Sequence, residues 1–408
     1  MSALPTPGHQ PGLRAALAED EERLARAVWS MLAEPGDDIA HAAVDELGAR
    51  AALDRVHRGT GAQLLAELPE IPSDGLDPRG SASPDPRQRA DAALRRWRAR
   101  LADLDLDRAL GRVTEAEVRL IVPHDPEWPT ALGDLGPHTP FCLWAIGPGN
   151  AAELNATDRS LAVVGSRAST PYGEDAAHEL AAGLAQRGIT VVSGGAYGID
   201  AAAHRGALQA GGSTVALLAG GLDALYPPGN AQLLRRIGDE HLLLAESPPG
   251  MAPTRWRFLA RNRLIAALSG ATVVVEAAWR SGALSTARRA LEIGREVGAV
   301  PGPITAPSSA GCHQLMRDAA VLPITCAEEA RALLPGQAPP EEQRRQDELD
   351  LLGPAARRVL DALPPRGWAT VAALALETGL PPAEVTTQLA HLQLFGRVEL
   401  REERARRR

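Results

Sequence analysis

"ITVVSGGAYGIDAAAHRGAL" (residues 189–208) starts as an unbroken apolar, β-branched run, turns through a double glycine and continues as an alanine-rich helical stretch. A strand without polar alternation is apolar on both faces, which is the signature of a parallel sheet covered on both sides. The same unit recurs along the chain. Apolar runs "LAVVG" (161–165), "STVALLAGG" (213–221), "HLLLAES" (241–247), "ATVVVEA" (271–277) and "REVGAVPG" (295–302) alternate with helical stretches at 172–187, 198–210, 229–237, 260–269, 281–293 and 311–319. Right-handed crossovers joining such units give an α/β fold with a Rossmann-like, doubly wound parallel sheet over residues 120–334.

The flanks have a different rhythm. Residues 13–68 are rich in Ala, Leu, Glu and Arg at helical spacing, and a further helix is expected at 88–103, so 1–119 is predicted to be a helical N-terminal domain. Its 69–90 stretch, crowded with Pro, Asp, Ser and Gly, is expected to be a disordered loop. The Pro-rich segment 124–147 is expected to be an irregular approach to the sheet. Beyond a linker at 335–350, helical stretches at 353–364, 370–379 and 381–396 and a strand at 396–400 predict a winged helix over 351–400. "REERARRR" (401–408) is expected to be a frayed charged tail.

The chain of 408 residues has a formal charge of -8, which argues against nucleic acid if taken as a total. The acidity is uneven, however. Residues 1–156 hold 16 Arg and 25 Asp or Glu, residues 157–330 hold 15 of each, and residues 331–408 hold 12 and 11. The last two-thirds can therefore display a local positive site. Every one of the 43 basic residues is Arg, as GC-rich coding would produce, which weakens any single Arg as a signal of phosphate recognition. Cys142, Cys312 and Cys326 lie far apart without a CxxC, which predicts neither a disulfide framework nor a metal site. No secretion signal or apolar span is read, so a cytoplasmic protein with no membrane contact is expected.

Ligands of an open parallel sheet bind outside the carboxyl ends of its strands. Gly165-Ser166-Arg167 follows the first strand and reads as an anion site of loop amides, hydroxyl and guanidinium, or as a tight turn with a surface Arg. Gly194 and Gly195 permit close backbone approach after the second, where Asp200 can cap the next helix and His204 reads as a packed histidine more readily than a catalytic one. Ser281 and Gly282, with Thr286 a turn later, form a second phosphate cradle at a helix N-terminus or an ordinary cap. "RWRFLARNR" (255–263) sets Arg255, Arg257, Arg261 and Arg263 beside Trp256 and Phe258. Phosphates select guanidinium and unstacked bases select an aromatic or guanidinium plane, although an aromatic core ringed by Arg has the same composition.

Several ordered motifs resemble the DNA-processing DprA (Smf) family: "GSRASTPYG" (165–173), "VSGGAYGIDAAAHRGAL" (192–208), "GGLDALYPPGN" (220–230), "FLARNRLIAALS" (258–269), "VVVEAAWRSGALSTARRALEIGREVGAVPG" (273–302) and "SAGCHQLMRDAA" (309–320). The resemblance implies a recombination mediator, not an enzyme. Such a protein binds and protects single-stranded DNA and loads the RecA recombinase, notably in natural transformation, as a homodimer formed through the Rossmann-like domain. Single-strand-binding protein is a further partner it allows. Family contacts carry over to Gly165, Ser166, Arg167, Arg255, Phe258, Arg261, Asn262 and Arg263. Arg255 stands where many relatives have Lys, and Pro228 replaces a frequent Lys. With Gly194, Gly195, Ser281, Gly282 and Thr286 these are the expected DNA-binding residues. No catalytic residue, metal ligand or cofactor is expected.

The main rival is a nucleotide-binding or nucleotide N-glycoside-hydrolysing Rossmann-like enzyme. Segment 281–291 lacks the acidic residue that chemistry requires, and Glu276 is the one carboxylate able to replace it. A nicotinamide dehydrogenase lacks its glycine fingerprint. A sequence-reading regulator would need a helix richer in Arg and Asn than 381–396.

Overall fold

The computed structural model describes residues 20–68, 85–318, 321–337, 352–365, 367–401 and 404–407. Most of the expected loop at 69–90 and of the linker at 335–350 lies outside them. The chain divides after Gln337 into two compact units.

The first unit is built on a nine-stranded sheet of order β1-β2-β6-β5-β4-β3-β7-β8-β9. Its strands are β1 Arg119–Ile121, β2 Leu143–Ile146, β3 Ser160–Val164, β4 Thr190–Ser193, β5 Thr214–Leu218, β6 Leu242–Ala245, β7 Ala271–Val274, β8 Glu296–Ala299 and β9 Leu322–Pro323. From β6 to β9 neighbouring strands are parallel, as the apolar runs require. Side chains alternate across the pleat. Leu161 and Val163 join a core with the helices Pro171–Ala185 and Ile199–Gln209, whereas Ala162 and Val164 join one with the helices Arg255–Ala267 and Ala283–Glu292.

Two features depart from the sequence reading. The segment expected to be irregular contains β2, which pairs antiparallel with both β1 and β6 and makes the sheet mixed. Its apolar "LWAI" lies between Pro140 and Gly147, so the proline-rich flanks hide a strand that is almost wholly buried. The N-terminal helices also share a core with the sheet. Ala27, Met31, Leu110 and Val113 pack with Trp144, Leu218 and Leu243, while Trp29 meets Trp97 edge-on at 5.1 Å in a smaller cluster.

In the second unit the helices Pro354–Asp361, Val371–Thr378 and Pro382–Leu394 precede a three-stranded sheet of β10 Ala369–Thr370, β12 Arg404–Arg407 and β11 Val398–Arg401. Gly379 ends the second helix at φ 68°, in the left-handed region that favours glycine. This is the expected winged helix, but the tail expected to fray is its middle strand. Ala405 is fully buried opposite Leu400 and Ala369, so its methyl group docks the charged segment on the core.

A carboxylate at position 405 would be buried without a partner, which costs several kcal/mol. Ala405→Asp is therefore expected to lower the melting temperature of the winged helix and remove amide-exchange protection at Leu400. An unchanged melt would mean that the segment frays after all.

Candidate nucleic-acid interface

Chain order reverses between β3 and β7, where one set of crossovers runs toward β6 and the other toward β9. Loops leaving a sheet at such a point diverge and leave a crevice. Here it is an open cleft of about 700 Å³, lined by the loop after β3, the loop after β7 and the helix Arg255–Ala267.

The loop after β3 is held from several directions. Gly165 leaves no room for a methyl group, since its Cβ would lie 2.5 Å from Ile199. Ser166 N–H donates to the Glu276 carbonyl at 2.7 Å, and its hydroxyl accepts from Ala168 N–H at 3.2 Å, which turns the chain and leaves Arg167 exposed. Thr170 caps the next helix, its hydroxyl accepting from Gly173 N–H, and both its N–H and its hydroxyl donate to Glu276 at 2.8 Å.

The arginine–aromatic knot is the first part of a helix, not its approach. Thr254 caps the helix by accepting from Arg257 N–H, so the helix begins at Arg255. The period of 3.6 residues sends its arginines to different places. Arg255 is exposed on the cleft. Arg257 is held away by Glu34, to which it donates twice at 3.0 Å. Arg261 is 5% exposed, donating to the Gly194 carbonyl at 2.8 Å and to that of Leu217. Arg263 is 2% exposed and makes a two-pronged pair with Glu246 at 2.7 Å. Phe258 faces the cleft beneath the Arg167 guanidinium, 4.0 Å from the ring centre, with Tyr226 at 6.0 Å on another side.

Across the cleft, Ser281 accepts from Ala283 N–H at 3.3 Å and Gly282 starts the helix Ala283–Glu292. Unlike Gly165, Gly282 is not demanded by packing, because a Cβ there would meet nothing within 4 Å. Asn262 donates to the Gly282 carbonyl at 3.2 Å and ties the two walls together. Arg280, which the sequence reading passed over, also lines the cleft and is exposed. Arg167, Arg255 and Arg280 thus meet at one opening, and among the described residues none of them forms a salt bridge, although Arg167 lies close enough to Asp200 to act on its charge.

The model of the family DNA recombination-mediator protein A matches residues 119–334, and that of the DprA winged helix domain matches residues 337–402. A DprA of Mycobacterium tuberculosis is 49% identical over 300 residues, covering 71% of this chain and 76% of its own. The chain belongs to the DprA family. Protein Smf of Escherichia coli is 41% identical over 245 residues, 58% of this chain and 64% of its own. The X-ray structure of Streptococcus pneumoniae DprA is 29% identical with a TM-score of 0.56, covering 77% of this chain and 97% of its own.

Of the residues the DprA resemblance and the strand ends singled out, Gly165, Ser166, Arg167, Arg255, Phe258, Asn262, Ser281, Gly282 and Thr286 line the cleft, and Arg261 reaches its floor. Three do not line it. Arg263 has its charge consumed by Glu246 and its other donors by the carbonyls of His138 and Ala260, so its expected role in binding gives way to a structural one. Gly194 is small because of Arg261, since a Cβ would lie 2.5 Å from that guanidinium. Gly195, at φ 68°, has its room filled by the Leu234 side chain. At both glycines the room a side chain would need is taken by side chains of the same protein.

Burial sets the remaining electrostatics. It draws the Arg261 guanidinium down to about 10, against the opposing pull of Asp200, and pushes the Asp200 carboxyl up despite Arg261. Arg261 therefore stays a cation at neutral pH. His204 is fully buried with Nδ1 2.7 Å from the Thr214 hydroxyl, and burial lowers it to about 3.

Arg263→Met leaves Glu246 buried and unpaired and is expected to cost about 3–5 kcal/mol, whereas Arg255→Met on the exposed turn is expected to change stability by less than about 0.5 kcal/mol; urea unfolding compares them. His204 stays neutral in the folded chain and takes a proton once unfolded. Its contribution is therefore complete above its ordinary value of 6.5 and is lost as pH falls toward about 3, at about 1.4 kcal/mol per pH unit. His204→Gln is expected to remove that share of the slope of stability against pH.

Proposed function

We propose that the cleft holds single-stranded DNA and that this DprA-family protein is a recombination mediator, which protects the strand and loads the RecA recombinase onto it, as in natural transformation. On this reading it works in the cytoplasm as a homodimer formed through its Rossmann-like unit, with single-strand-binding protein as a further partner and no enzymatic activity of its own. Strand binding rests on the cleft, and the recombinase, dimer and location rest on family membership.

The observation that carries strand binding is the convergence of Arg167, Arg255 and Arg280 on one opening in a protein of net charge -8. Asp200 is the sole acid among the lining residues, and Arg261 beside it, with Arg167, offsets its charge. Phosphates have unpaired guanidiniums to meet, and bases have the Arg167–Phe258 stack and the half-exposed Tyr226 ring. The open space at Gly282 lets a backbone come close to the helix N-terminus. The cations come from three separate segments and extend beyond what one nucleotide needs. Glu276 is a poor candidate for glycoside hydrolysis, because Thr170 engages both of its carboxylate oxygens.

Fluorescence anisotropy with a labelled mixed-sequence single strand tests the reading. Arg167→Ala, Arg255→Ala and Arg280→Ala are each expected to weaken binding about tenfold at an unchanged melting temperature. Each should also reduce the slope of log affinity against log salt by about 0.7. Displacement of the strand by free mononucleotide would instead assign the cleft to a nucleotide pocket.

A further inference from the structure

The outer face of the winged-helix sheet carries a charge arrangement that folding does not explain. Alternation sends Leu400 and Ala405 to the core and Glu399, Arg401, Arg404 and Arg406 to the outside. In the register Glu399 faces Arg406, a complementary pair closed at 2.6 Å, but Arg401 lies directly opposite Arg404. Like charges opposed across an antiparallel pair are destabilising. The one described carboxylate on this face, Glu399, is shared between Arg401 and Arg406, and Arg404 has no carboxylate partner among the described residues. Trp368 lies under the same cations, its ring centre 5.2 Å from the Arg401 guanidinium and 5.1 Å from that of Arg406.

The helix that would enter a DNA groove is the wrong partner for a polyanion. Pro382–Leu394 contains no Lys or Arg and carries an exposed Glu384 in its first turn. Positive charge lies on the hairpin instead of the helix: residues 397–408 hold 6 Arg and 3 Glu.

We infer that the β11–β12 hairpin is a second nucleic-acid contact, which grips the phosphate backbone of duplex DNA through Arg401, Arg404 and Arg406 without reading sequence. A phosphate bridging Arg401 and Arg404 would turn their repulsion into two charge-assisted hydrogen bonds. Duplex is the form the face fits. The cations are fixed by the strand register, as the regular spacing of duplex phosphates requires. The indole already serves the guanidiniums instead of being free to take an unstacked base. The inference does not depend on how the cleft of the first unit is used.

The test measures binding of the full chain to a labelled blunt duplex and to a labelled single strand over a range of salt. Arg401→Ser/Arg404→Ser leaves the Glu399–Arg406 pair and the Ala405 anchor in place. It is expected to weaken duplex binding about tenfold and to reduce the duplex salt slope by about two, with the single-strand affinity retained. Arg401→Lys/Arg404→Lys should restore most of the duplex slope, since the charge returns. The inference is overturned if the wild-type chain does not bind duplex at low salt, if the double Ser variant binds it normally, or if that variant loses single-strand binding instead.

Discussion

Two arginines are buried where this fold closes. Arg261 and Arg263 lie inside the molecule on one helix, and a guanidinium removed from water must find its hydrogen bonds within the protein. They are found in Gly194 after β4, Leu217 on β5, Glu246 after β6 and His138 in the segment before β2. One helix is therefore bonded to successive strands of one half of the sheet. The exposed first turn of that helix carries Arg255 and Phe258 into the cleft, so the open side of the site is held in place by the closed side.

The apolar runs β3 to β8 were legible because a parallel strand is hydrophobic on both faces and needs no partner to be recognised. β2 was not, since a four-residue strand between Pro140 and Gly147 carries less signal than its flanks. The last strand was misread for a related reason. Its composition is that of a solvated tail, and only Ala405, one small residue, docks it on a core.

The site was legible at its glycine turns and much less so at its arginines. An Arg beside an aromatic looks the same in sequence whether it is free or buried. The signal that separates them is the continuous apolar stretch after Arg263: "LIAA" marks a helix buried all round, so Arg261 and Arg263 on its inner turns had to be inside. The pair at 194–195 was taken for ligand space because a glycine makes room without saying for what. Arg280 carried no motif. It is found only by noticing that the loops after β3 and β7 flank the same reversal in strand order.

The bidentate contact from Arg257 to Glu34 has a mechanical meaning. Arg257 sits between Arg255 and Phe258, and Glu34 accepts from Arg100 as well, so the first turn of this helix is moored to the N-terminal helices. Any pull applied at Arg255 or Phe258 is shared between the helix and that mooring before it reaches the sheet. The N-terminal helices thus act as a stay for the mouth of the cleft, stiffening it under load from a part of the chain that does not line it.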